Sequence, residues 1–238
     1  MTTYITGDKH GRLKPVKRFA QDNGLTEEDA VIVLGDVGFN YFNDRRDYWT
    51  KNTVTDIKPV VFCIHGNHEM RPQSLPRLYR EDRWHGGTVF IEDAFPNILF
   101  AKDGEVYDFD GARAIAIGGA YSVDKWYRIE QGLRWFEDEQ PNKEIKACVE
   151  AKLDKLNWKV DIVLSHTCPF CYEPTEAFLP GLDQSLIDST TELWLDRVER
   201  RLDYKKWYCG HWRIDKHVDR MRFMFDEFEP LEPAEKNR

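Results

Sequence analysis

The chain has 238 residues, of which 41% are hydrophobic, enough to build a core of domain size. A formal net charge of -8 disfavours loose attachment to a nucleic-acid backbone or an anionic membrane, while favouring cations. No apolar run is long enough to cross a bilayer, and the start "MTTYITGDKHG" lacks a basic region followed by an apolar one. The reading is a cytoplasmic protein with no membrane partner, and five scattered cysteines fit free thiols rather than a disulfide framework.

In chain order, "TTYIT", "AVIVLG" and "PVVFCI" read as strands, separated by helical segments over Leu13 to Asp22 and Asp44 to Ile57. That alternation predicts a mostly parallel sheet covered by helices. The stretch "NILFAKDGEVYDFDGARAIAIGGA" carries turn signals at Asp103-Gly104 and Asp110-Gly111, as in an antiparallel meander, so a second sheet is expected. Further on, "NKEIKACVEAKLDKLNW" has helical spacing, "VDIVLSHT" is a strand, "STTELWLDRVERRLD" reads as a capped amphipathic helix, and "KWYCGHW" is another strand. The segment "HVDRMRFMFDEFEPL" supplies closing strands. Residues 1–231 are read as one domain and 232–238 as a disordered tail.

Polar groups recur where these apolar strands stop. Asp8 and His10 follow the first strand, Asp36 the second, Asn67 and His68 the third; later strands end in His166 and His211. One histidine at a strand end is ordinarily a core or surface residue, but five strands delivering oxygen or imidazole donors form a pattern. Carboxylate, amide and imidazole donors without thiolate suit manganese, iron or zinc, and they outnumber what one tetrahedral ion requires. Two cations about 3.5–4 Å apart can hold a bridging hydroxide and orient a phosphate ester.

The segments "GDKHG", "GDVG", "GNHE", "SHT" and "GHW", in this order, resemble the calcineurin-like metallophosphoesterase superfamily. "WHGG" and "GGAYSVDKWYRIE" resemble its compact bacterial and phage branch. The resemblance implies an α/β fold: a two-layer β-sandwich flanked by helices, in four layers α/β/β/α. It implies two divalent metal ions, manganese first and iron, zinc or magnesium as alternatives, and hydrolysis of a small phosphorylated substrate or nucleotide. Asp8 and His10 would bind the first metal, Asp36 would bridge, and Asn67, His166 and His211 would bind the second. His68 would act as general acid towards the leaving oxygen, with Glu69 orienting it or a neighbour.

One position departs from the family pattern. Where most members close with Gly-His-any-His, this chain has Gly210-His211-Trp212-Arg213. A guanidinium has no lone pair to give a metal. The first site therefore loses a ligand to water, gains His217, or has Arg213 grip the substrate phosphate. The departure also sustains a different class, a degenerate non-catalytic metal or protein-binding scaffold. A third class, a redox protein built on "CPFC" at Cys168 to Cys171, is disfavoured because that motif does not open a helix after an early strand. Lys125 and Arg128, with Asp124 and Tyr127, line the substrate cleft or form a solvated loop. Trp84, Trp126, Trp135 and Trp212 read as packing residues before stacking platforms, and His65 and His85 as supporting groups.

Overall fold

The computed structural model describes residues 1–181 and 183–231; the expected tail at 232–238 lies outside them. In chain order the elements begin with β1 (Thr3–Thr6), α1 (Lys14–Asp22), β2 (Ala30–Val33), α2 (Arg45–Asn52) and β3 (Val60–Cys63). A hairpin of β4 (Arg80–Trp84) and β5 (Gly87–Ile91) follows, then β6 (Ile98–Ala101), β7 (Val106–Phe109) and β8 (Ala112–Ile117). The second half holds α3 (Lys125–Glu130), α4 (Lys143–Lys155), β9 (Ile162–Ser165), α5 (Thr190–Arg201), β10 (Lys206–Cys209), β11 (Lys216–Val218), β12 (Met221–Phe223) and β13 (Glu229–Pro230).

Two mixed sheets result. The first has the order β13-β1-β2-β3-β6-β5-β4 and the second β11-β12-β10-β9-β8-β7. Strands β1, β2, β3 and β6 run parallel, as do β8, β9, β10 and β12. The parallel strands are buried on both faces, which is why they read as continuous apolar runs.

Period-2 alternation distributes those runs between layers. Ile32 and Leu34, Phe62 and Ile64 face inward and meet Ala114, Ala116, Ile162, Leu164 and Tyr208 of the other sheet. Val31, Val33, Val61 and Cys63 point outward onto Leu13, Val16 and Ala20 at α1. On the opposite outer face Val163, Trp207 and Cys209 pack beneath Val149 and Leu153 of α4 and Trp194, Leu195 and Val198 of α5. Each large apolar side chain fully buried in this way contributes about 1.5–3 kcal/mol. The α/β/β/α sandwich implied by the sequence motifs is the observed architecture.

The central segment differs from a simple meander. Asp110-Gly111 closes the antiparallel β7–β8 hairpin, with Phe109 opposite Ala112. Asp103-Gly104 instead carries the chain from β6, beside β3 in the first sheet, to β7 in the second. At α5, Ser189 makes no side-chain cap; the Asp188 carboxylate accepts the Thr190 N–H at 3.0 Å. The α2 helix is confined to Arg45–Asn52 and is capped by Asp44, whose side chain accepts the Arg46 N–H.

Candidate metal centre

The loops leaving the C-terminal ends of β1, β2, β3, β9 and β10 meet along one rim of the sandwich. Asp8, His10 and Asp36 each present a ligand atom, and these atoms lie within 4.8 Å of one another. Nε2 of His10 is 3.9 Å from Asp8 Oδ2 and 3.8 Å from Asp36 Oδ2. Beside them, Asn67 Oδ1 lies 2.8 Å from His166 Nε2 and 3.1 Å from His211 Nδ1. His166 Nε2 is in turn 3.8 Å from Asp36 Oδ1, so Asp36 stands between the two groups of donors.

Backbone geometry makes this convergence feasible. His10, Asp36, His211 and Arg213 all adopt positive φ, between 45° and 68°, conformations that non-glycine residues adopt rarely and that concentrate at functional sites. Two glycines let the loops interlock. A Cβ on Gly66 would stand 2.1 Å from the Asp36 amide nitrogen, and one on Gly35 would stand 2.0 Å from His166 Nδ1. Fixed hydrogen bonds complete the frame. Asp8 Oδ1 accepts the His211 N–H at 2.9 Å, and Asp36 Oδ1 accepts the His68 N–H at 2.8 Å. The Asn67 amide donates to Ser122 Oγ at 2.8 Å, which turns its oxygen toward the histidines.

The donor set fits divalent cations on three observations. Asp8 Oδ2 is buried and has no hydrogen-bond partner. Burial and the neighbouring Asp36 charge push the Asp8 carboxyl up despite His166, whereas for Asp36 the opposing pull of His166, His68 and His10 overcomes burial and holds it at about 2. Paired buried carboxylates of this kind are short of positive charge. Both ring nitrogens of His166 face oxygen acceptors, Leu34 O at 2.8 Å and Asn67 Oδ1 at 2.8 Å, so a cation on the Nε2 side is the electrostatic complement. Burial and His166 push His211 well below its ordinary value, keeping its ring neutral and able to ligate.

Neighbouring residues take several positions. His68 lines the cavity, and burial, with Arg128 and His10 in support, lowers it to about 4 against the pull of Asp36 and Asp124. Glu69 does not reach the His68 ring: its carboxylate accepts the N–H groups of Gly66 and Gly38 at 3.0 and 3.1 Å, clamping two ligand loops together. Arg213 lines the cavity with Nη2 3.2 Å from His10 Nε2. The nearby-in-sequence Asp215 carboxylate accepts the backbone N–H groups of Phe225 and Asp226. His217 sits exposed on β11, 4.0 Å from Glu229, outside the cavity lining. Arg128 pairs with Asp124 at 2.8 Å and bonds Tyr41, while Lys125 lies over the Trp135 ring at 4.1 Å. Neither lines the cavity; Asp124 does.

All five cysteines are free. Burial pushes the Cys168 thiol well up, and partial burial with Asp196 pushes Cys171 up to about 12, the reverse of the activation a dithiol redox motif needs. His65 is buried, and His85 Nδ1 contacts Asp108 O at 2.7 Å. Ser122 and the Leu34 carbonyl, which orient Asn67 and His166, escaped the sequence reading because neither a lone serine nor a backbone oxygen has a spacing signature.

A family model described as calcineurin-like phosphoesterase matches residues 1–212, and the chain belongs to that family. Metal-dependent phosphoester hydrolysis is the chemistry the family suggests, and the Asp8, His10 and Asp36 group is a candidate metal site. Among solved structures, the TT1561 protein of Thermus thermophilus is similar at 14% identity, covering 97% of each chain with a TM-score of 0.54. Phosphopantetheinyl hydrolase from Mycobacterium tuberculosis is similar at 18% identity over 94% of this chain and 88% of that one, with a TM-score of 0.50. Identities this low speak to fold alone. No curated protein matches by sequence. Among the described residues, no helix is long and apolar enough to cross a membrane.

Proposed function

We propose that this protein hydrolyses a small phosphoester with a pair of divalent cations, manganese first, held by Asp8, His10, Asp36, Asn67, His166 and His211. The observation that carries the reading is the convergence of Asp8, His10 and Asp36 beside the Asn67, His166 and His211 group, with Asp36 within 4 Å of a histidine on either side. Bound divalent cations supply Lewis-acid activation of water and neutralise phosphate charge.

The chain's own residues do the remainder. Asp36 is shared by both donor groups. The Ser122 hydroxyl and the Leu34 carbonyl hold Asn67 and His166 in orientation. His68, at the cavity wall, donates a proton to the leaving oxygen; a phosphate dianion beside it raises its basicity against the lowering imposed by burial. Arg213 offers its guanidinium to a substrate oxygen.

The test is turnover of p-nitrophenyl phosphate and bis(p-nitrophenyl) phosphate by metal-stripped protein reloaded with manganese, magnesium, zinc or iron. Metal-dependent release of nitrophenolate that vanishes in Asp36→Asn is the expected result. A non-catalytic scaffold is the second reading, favoured by the approach of Arg213 to the His10 nitrogen. Tight metal binding without turnover of any ester selects the scaffold.

A further inference from the structure

Beside the donor cluster the cavity is lined by apolar side chains as well as polar ones. Its volume is about 210 Å³. One wall is Val123, which follows the Ser122 that orients Asn67. The other is built by Ala177, Phe178, Leu179 and Ile187, from the connection between β9 and α5, and by Trp212 from the His211 loop. The rings of Phe178 and Trp212 are stacked, 5.8 Å apart at 27°, so this wall is already assembled. Leu179 is 57% exposed and Val123 36%, leaving apolar surface in water at the mouth of a polar site.

Holding cations or moving a proton requires none of these six side chains, and a site for a bare phosphate group would have no use for them. They suit an organic group that is itself apolar, because covering exposed apolar surface is favourable. A nucleobase, which needs donors and acceptors at its edges, would have to find them on Asp124, Gln184 or Ser189, the polar side chains that share the lining. The single polar atom among the six side chains, Trp212 Nε1, is buried and has no hydrogen-bond partner. At the rim, burial pushes the Glu173 carboxyl up to about 7, which reduces the charge an apolar occupant would meet near neutrality.

We infer that the site selects phosphoesters whose organic group is an alkyl chain or aryl ring, packed against Phe178, Trp212 and Ile187 while the phosphate faces His68 and Arg213. The inference rests on the phosphoesterase reading for turnover, but binding alone can test it. Phosphonates cannot be hydrolysed, so calorimetric titration of manganese-loaded protein with methyl-, butyl-, hexyl- and phenylphosphonate reads the wall directly.

The expected result is a Kd that tightens roughly three- to fourfold per added methylene until the cavity is filled, with phenylphosphonate well ahead of the methyl compound. Phe178→Ala and Ile187→Ser should flatten this dependence, and Phe178→Leu should keep most of it. The wild-type series decides by itself if a variant misfolds. A Kd independent of chain length, the absence of phosphonate binding, or a nucleoside phosphonate binding more tightly than hexylphosphonate overturns the inference. Failure of the hydrolase reading shows elsewhere, as absent nitrophenolate release by protein that still ranks phosphonates by length.

Discussion

Arg213 reaches back across the rim so that its Nη2 lies 3.2 Å from Nε2 of His10. A guanidinium only donates, so His10 must accept with the same lone pair that a cation would use. Arg213 and a first-site cation therefore compete, and their charges repel. Arg213→Ala should tighten the weaker of two metal-binding steps about tenfold, and Arg213→His should tighten it further by adding a ligand. Calorimetric titration with manganese checks this; identical isotherms for wild type and both variants would remove the competition.

Asp36 stands between the two donor groups, so loss of its charge should cost both sites at once. Asp36→Asn preserves an oxygen for the His68 N–H but removes the shared carboxylate. Elemental analysis after dialysis should find metal content reduced at both sites, with turnover down on the order of 10³-fold or more. Retention of one full equivalent of tightly held metal would mean that Asp36 serves a single site.

His68→Ala should leave metal content unchanged while lowering alkyl phosphate hydrolysis on the order of 10²–10⁴-fold. The deficit should shrink for nitrophenyl esters, whose leaving oxygen needs no proton. Comparing kcat for the two substrate types separates proton donation from substrate placement, since a residue that only positions the phosphate would cost both equally.

The locations of the donors were legible in the sequence because each follows a short apolar run that ends abruptly, as Val31 to Leu34 does before Gly35-Asp36. Physical chemistry forces that pattern: a parallel strand buried on both faces has polar freedom only at its ends. The β4–β5 hairpin was invisible, because Arg80 to Arg83 are exposed and charged and gain strand structure from pairing at the edge of the sheet. The Asp103-Gly104 turn was legible as a turn, but a local signal does not say which sheet the next strand joins. The apolar wall at Phe178 and Ile187 lies in irregular chain, where no periodicity marks a face.

Stability should carry its own pH signature, from a buried carboxyl that is not among the proposed metal ligands. Burial, with Glu173 and Asp188 nearby, pushes the Glu192 carboxyl from 4.5 up to about 7. Between those values the folded chain holds a proton that the unfolded chain has released, so stability falls as pH rises through this window, by about 3 kcal/mol at most. Glu192→Gln has no charge to desolvate. It should be more stable than wild type at pH 8 and lose that advantage by pH 4.5. Urea unfolding at the two pH values checks the sign, and a pH-independent difference would exclude Glu192 as the source.

The contacts that shape the rim join residues remote in sequence: Asp8 to His211 across 203 positions, Leu34 to His166 across 132, and Asn67 to His166 across 99. Each crosses the seam between the two sheets, so the rim works as a clasp that closes only when both halves are in place. Ordering such distant pairs is costly and belongs late in assembly. A nascent chain that has completed β9 already carries Asp8, His10, Asp36, Asn67 and His166, yet it lacks the β10 loop that fixes Asp8 through the His211 amide. Cations held at this rim would consequently rivet one sheet to the other, and a small loosening of the sandwich, well short of unfolding, would be felt first as their escape.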